Sequence, residues 1–175
     1  MPNIKTYTSK WFWDILDSSN KKCDNLYTVL KKLTRDELIR FEFEYELAVI
    51  NLAPIEDIAV NVNGEEIDIQ QDTMERFCNW VVSNGHNFYK LIIEGKDVSE
   101  YFVHYFSSPP NYTQDKSLLW DCKNPQSKAL TVSMEKHPDE EGLLDSVALM
   151  IEGGEMKVLK PLMEKEEFFE YEKNN

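Results

Sequence analysis

Thr34-Arg35-Asp36-Glu37 reads as a helix-opening capping box: the Thr34 hydroxyl accepts from the Glu37 amide, and the Glu37 carboxylate reaches back to Thr34. The next stop signal is Pro54, which pushes Ala53 out of the helical region. Between the two lies a long helix over about 35–52, with Leu38, Phe41, Tyr45, Ala48 and Leu52 as its apolar stripe. Inside it, Phe41-Glu42-Phe43-Glu44-Tyr45-Glu46-Leu47 alternates with period two, which is a strand pattern. The box and the stripe extend over more turns than the alternation, so the helix reading prevails.

The rest of the chain is organised around that helix. Ser9 caps a first helix over about 10–18, SSNKK is a turn, and a second helix over about 23–33 presents Leu26, Val29, Leu30 and Leu33. Ile58, Val60 and Val62, then Asn63-Gly64, then Ile67 and Ile69, predict a hairpin within 57–69, because Asn-Gly suits a type I′ turn. Asp72 is expected to cap a helix over 72–84 whose core face is Met74, Phe77 and Val81, with Gly85 as its stop. Further helices are expected over 87–93 and 98–106. Leu118-Leu119-Trp120 is a short buried run of undecided type. Strands are expected over 129–134 and 156–160, while 143–151 reads either as a helix or as one arm of a hairpin through Gly153-Gly154. Phe168, Phe169 and Tyr171 in the acidic tail are able to dock. The sum is an α+β fold and a single domain over 1–175: helix-rich over 10–106, mixed over 107–175, with a small C-terminal β-sheet or hairpin. At 175 residues and 42% apolar, the chain is long enough to bury a core.

Charge narrows the function. Lys and Arg number 19 against 32 Asp and Glu, a net charge of −13. Residues 1–53 are neutral, 54–110 carry −7 and 111–175 carry −6. Such a balance repels phosphate backbones and speaks against nucleic acid as a partner. No apolar run approaches the ~20 residues of a membrane span, and the start lacks the basic and apolar regions of a signal peptide, so a cytoplasmic location is expected. Cys23, Cys78 and Cys122 are odd in number, 55 and 44 residues apart, with no CxxC, which reads as three reduced thiols.

Catalytic constellations are not apparent. His86, His104 and His137 have no metal-ligand spacing with each other or with a cysteine, so no metal or cofactor is implied. Cys78 and His86 lie eight residues apart across a helix end. Cys78 falls between Phe77 and Trp80 and reads as a buried thiol rather than a nucleophile; His86 is expected to meet the free carbonyls at the helix end. Glu42 and Glu46 share a helix face at i, i+4, but nothing marks them above other acid pairs as a hydrolase site. Gly153-Gly154 is no phosphate cradle. The aromatic stripes read as core.

The pattern Asp72-x-Met74-x-x-Phe77-x-x-Trp80-Val81-Val82-x-x-Gly85-x-x-x-Tyr89, together with Phe12-Trp13, resembles the bacterial domain-of-unknown-function family numbered 4240 over about residues 10–106. That family carries a Gly-Gly-Cys-Ser-Asp-Asp run before the Phe-x-x-Trp helix and an Arg after its Phe. Here these positions read 68–73, Asp-Ile-Gln-Gln-Asp-Thr, and Cys78, so only Asp72 carries over. The resemblance implies a fold rather than an activity.

Small size, concentrated acidity and the lack of a catalytic constellation together predict a non-enzymatic interaction protein. The expected class is an immunity or inhibitor protein that binds and neutralises a cognate bacterial toxin, a basic toxin domain such as a nuclease. Asp57, Glu65, Glu66, Asp68, Asp72 and Glu75 are the expected partner-binding residues, since clustered like charge steers association with a cationic surface. The alternative is a regulatory or sensory adaptor domain binding a small ligand or signalling protein, with Trp11, Trp13, Trp80 and Tyr89 lining a pocket.

Overall fold

A computed structural model describes residues 5–52, 60–62, 65–67, 71–95, 101, 125–138, 142–152 and 161–172. The architecture is α+β and helix-rich. In chain order the elements are β1 (Lys5–Ser9), α1 (Lys10–Ser18), α2 (Cys23–Leu30), α3 (Arg35–Asn51), β2 (Val60–Val62), β3 (Glu65–Ile67), α4 (Gln71–Ser83), α5 (His86–Ile93), a 3₁₀ turn (Pro125–Ser127), α6 (Lys128–Lys136), α7 (Leu143–Glu152) and β4 (Phe168–Glu172). The chain divides into two compact units, one of Met1–Thr6, Val49–Leu119 and Tyr171–Asn175, the other of Tyr7–Ala48 and Trp120–Glu170.

The second unit is built on α3. Its capping box forms as expected: the Glu37 amide donates to Thr34 Oγ1 at 3.3 Å, and the Thr34 amide donates to Glu37 Oε2 at 2.8 Å. Leu38, Phe41, Tyr45 and Ala48 are all buried. Phe43 and Leu47 form a second cluster with Val147 of α7, flanked by Ile39, Met150 and Phe168. Apolar side chains on two faces of one helix explain the alternation over 41–47, which needs no strand. On the other face Phe12 of α1 meets Phe41 and Tyr45 with ring centroids 5.4 and 6.0 Å apart. Ser9 caps α1 through the Phe12 amide at 3.1 Å. The turn after α1 puts Asn20 and Lys21 at φ 49° and 57°, a left-handed pair held by the Ser19 hydroxyl. The second helix ends at Leu30, three residues before the expected stop, where Lys136 of α6 donates to the Lys31 and Leu33 carbonyls at 3.0 and 2.6 Å.

The strand expected over 129–134 is a helix, α6. Ala129, Val132 and Ser133 are buried while Met134 is 66% exposed, a helical rather than an alternating pattern. Six residues of period two do not outweigh the face that α2 and α7 offer to α6. Residues 143–151 resolve to the helix α7. The C-terminal strand β4 is a neighbour of β1 in a two-stranded sheet, which is how the tail docks; the Lys10 amide donates to the Glu167 carbonyl at 2.9 Å just past its end.

In the first unit, β2 and β3 pair antiparallel with Val60 opposite Ile67 and Val62 opposite Glu65, the register of the predicted hairpin. Helix α4 packs on α5, with the Trp80 and Phe88 rings 5.3 Å apart, and buries Met74, Phe77 and Val81. Gly85, at φ 90°, ends the turn after α4 and caps α5: its amide donates to the Val82 carbonyl and its own carbonyl accepts from Tyr89. His86 therefore opens α5 and does not close α4 as expected; the sharp turn at Gly85 leaves only two residues between the helices. Tyr89 and Tyr171 are buried with rings 5.4 Å apart. Of the helix expected over 98–106, Tyr101 is described and is helical, its ring 5.1 Å from Phe88. The expected buried run at 118–120 and strand at 156–160 lie outside the described residues.

The cysteines differ from the sequence reading. Cys23, the first residue of α2, is disulfide-bonded, whereas Cys78 is a buried thiol outside any disulfide. An odd count accommodates one bond and one thiol, and separation along the chain does not measure distance through space.

Candidate functional site

Of the six expected partner-binding residues, Asp57 and Asp68 lie outside the described residues. Glu65 and Glu66 stand on β3, with Glu66 opposite Asn61. Asp72, in the first turn of α4, and Glu75, just beyond it, are both exposed; three residues apart, they take adjoining positions of one helix face. Asp72 is not the cap: α4 begins one residue earlier, at Gln71. Instead its carboxylate lies 3.7 Å from the Arg76 guanidinium, an exposed i, i+4 pair of small energetic weight. A carboxylate in the first turn also favours the helix dipole.

The strongest electrostatic construction among the described residues lies elsewhere, in the second unit, and the sequence reading did not find it. Arg40 of α3 donates through Nε to Glu44 Oε1 at 2.8 Å and through both terminal nitrogens to Glu166 at 2.9 and 2.5 Å. Its guanidinium carbon lies over the Trp11 ring, 4.2 Å from the ring centre. Glu44, 1% exposed, also accepts from the Ser9 amide at 3.0 Å and the Ser9 hydroxyl at 2.5 Å. Burial pushes the Glu44 carboxyl up, and the Ser9 and Arg40 contacts pull it back. The Arg40 bond holds Glu166 below the usual carboxylate range. Arg40 and Glu44 at i, i+4 were the one signal available in the sequence. The network fastens β1, the α1 cap, α3 and the approach to β4 to one another, which is structural work.

Glu42 is a second buried carboxylate. It is 5% exposed, and its Oε2 has no hydrogen-bond partner among the described residues. Burial, assisted by the negative charge of Glu46 one turn on, pushes it up to about 8, so it is neutral at pH 7.

Cys78 is 2% exposed in the core of α4, an inaccessible position for a nucleophile. Burial, then the charge of Lys90, lowers the half-buried His86 imidazole against a weaker opposite pull from Glu94. Among the described residues no group of three or more His, Cys, Asp or Glu side chains is placed to hold a metal ion. Nor is any helix among them long and apolar enough to cross a membrane. Of the rings expected to line a ligand pocket, Trp13 and Tyr89 are buried, and the Trp13 indole donates to Thr8 Oγ1 at 2.7 Å. These two rings fill the interior of their own units.

Comparison with known proteins finds no matching family model, no matching curated protein and no matching solved structure.

Proposed function

We propose that this chain is a non-enzymatic acidic interaction protein of the immunity or inhibitor type, which binds and neutralises a cognate bacterial toxin with a basic contact surface. The observation that carries the reading is the −7 charge of residues 54–110, within which Asp72 and Glu75 stand exposed on α4 and Glu65 and Glu66 lie on β3. Those four carboxylates would pair with toxin Lys and Arg, and the surrounding field would speed capture. The resemblance to the bacterial domain-of-unknown-function family numbered 4240 is part of the same proposal; it rests on the aromatic spacing of α4 in the sequence.

The test is a pull-down from the native host with the wild-type chain and with a variant carrying Glu65→Lys, Glu66→Lys, Asp72→Lys and Glu75→Lys. A basic toxin captured by the first and lost by the second supports the reading. A captured partner with a neutral or acidic contact surface contradicts it. A cytoplasmic location also belongs to this proposal, and the disulfide at Cys23 counts against it, because cytosolic thiol pools keep cysteines reduced. Titrating thiols in denatured protein taken from the host decides: three per chain fit the cytoplasm, one per chain an oxidising compartment.

A further inference from the structure

The second compact unit is discontinuous in sequence: it is assembled from Tyr7–Ala48 and Trp120–Glu170, with residues 49–119 inserted between its halves. Cys23 falls in the first half and Cys122 in the second, 99 positions apart, while Cys78 falls in the insertion. Cys23 is disulfide-bonded, and Cys78 belongs to no disulfide. Within one chain of three cysteines, Cys122 is the one sulfur that remains for Cys23.

The packing of the unit brings the two halves together at the right end. The Tyr27 hydroxyl of α2 donates to the Glu135 carboxylate of α6, and the Lys136 ammonium donates to the Lys31 and Leu33 carbonyls just past α2. The C-terminal ends of α2 and α6 therefore meet, and the two helices pack along one another. Cys23 opens α2 at its opposite end and is 5% exposed. That is the side on which the chain enters α6, through the 3₁₀ turn that begins at Pro125. Cys122 precedes Pro125 by three positions, a reach of at most ~10 Å.

We propose that a Cys23–Cys122 disulfide clasps the two halves of this unit at the end of α2 away from the Lys136 anchor, so that the redox state of the surroundings sets how firmly α2 is held to α6. The bond removes from the unfolded chain the entropy of a loop of about 100 residues. Opening it takes two electrons and two protons from a dithiol, whose own sulfurs close into a disulfide as Cys23 and Cys122 become thiols. Because Cys23 is buried, that exchange follows local opening of α2. The clasp belongs to the unit that does not carry α4, and it does not rest on the acidic surface.

The test equilibrates the full chain in an oxidising glutathione buffer, alkylates it in denaturant, digests it and maps the fragments by mass. The Cys23 fragment should be linked to the Cys122 fragment, with Cys78 alkylated. Cys23→Ser, Cys122→Ser and the double variant should each lower the thermal midpoint by the same amount, about 5–15 °C, because each removes one and the same bond. Amide exchange in α2 and α6 should rise tenfold or more when the wild-type chain is treated with dithiothreitol, while α4 keeps its rates; this comparison serves where a variant fails to fold. The proposal is overturned if Cys23 is linked to Cys78 or to a second copy of the chain, or is alkylated without a link. It is also overturned if the double variant falls further than either single one, or if α2 exchanges equally fast before and after reduction.

Discussion

Arg40 and Glu42 sit two residues apart on α3 and illustrate two solutions to burying charge. Arg40 is paired on three sides, so removing it leaves Glu44 buried without its cation. Arg40→Met should cost about 3–5 kcal/mol in urea unfolding, and adding Glu44→Gln should restore part of the loss. An unchanged midpoint would show that the network contributes nothing. Glu42 is solved by a proton instead. The folded carboxyl titrates near 8, while the unfolded one titrates near its ordinary 4.5. The folded state therefore holds an extra proton between those values. The stability this provides is complete below about pH 4.5 and is lost as pH rises through 8. Glu42→Gln should match wild type at pH 4 and exceed it by about 2–4 kcal/mol at pH 8. Parallel stability curves would contradict the assignment.

Elements show where local sequence suffices and where it does not. The caps at Ser9 and Thr34 and the turn at Gly85 act within four residues, so α1, α3, α4 and the start of α5 were legible to within a residue or two. Thr34→Ala should cost about 1 kcal/mol; Ser9→Ala should cost roughly twice that, because it loses a Glu44 contact with the cap. Helix α6 was misread because its alternation is short and its inward face is set by neighbours far along the chain. Thr131 is exposed, so Thr131→Ala should stabilise a helix by about 0.5 kcal/mol and would weaken a strand; thermal melts read the sign. The Glu166 arm of the Arg40 network spans 126 residues of sequence, and no local pattern announces such a contact. Only its i, i+4 half, Arg40 with Glu44, could be read in advance. The same holds for the candidate site. The acids on β3 and α4 were legible as charge, whereas the exposure of Asp72 and Glu75 is fixed only once α4 buries Met74 and Phe77.

For the whole molecule, the decisive property is how the net charge of −13 is distributed. Acids in the second unit are partly consumed internally: Glu44 and Glu166 by Arg40, and Glu42 by its proton. Asp72 and Glu75 are turned outward, and Arg76 screens only the first of them, weakly. If that surface receives a cationic partner, binding must weaken with salt, since exposed charges more than ~8–10 Å apart are screened at physiological ionic strength. The most direct measurement is the affinity of the captured toxin for wild type and for the Glu65→Lys/Glu66→Lys/Asp72→Lys/Glu75→Lys variant, from 50 mM to 500 mM salt. The account predicts a steep salt dependence for wild type and a loss of at least a hundredfold at low salt for the variant. Equal affinity for both chains, independent of salt, would contradict it.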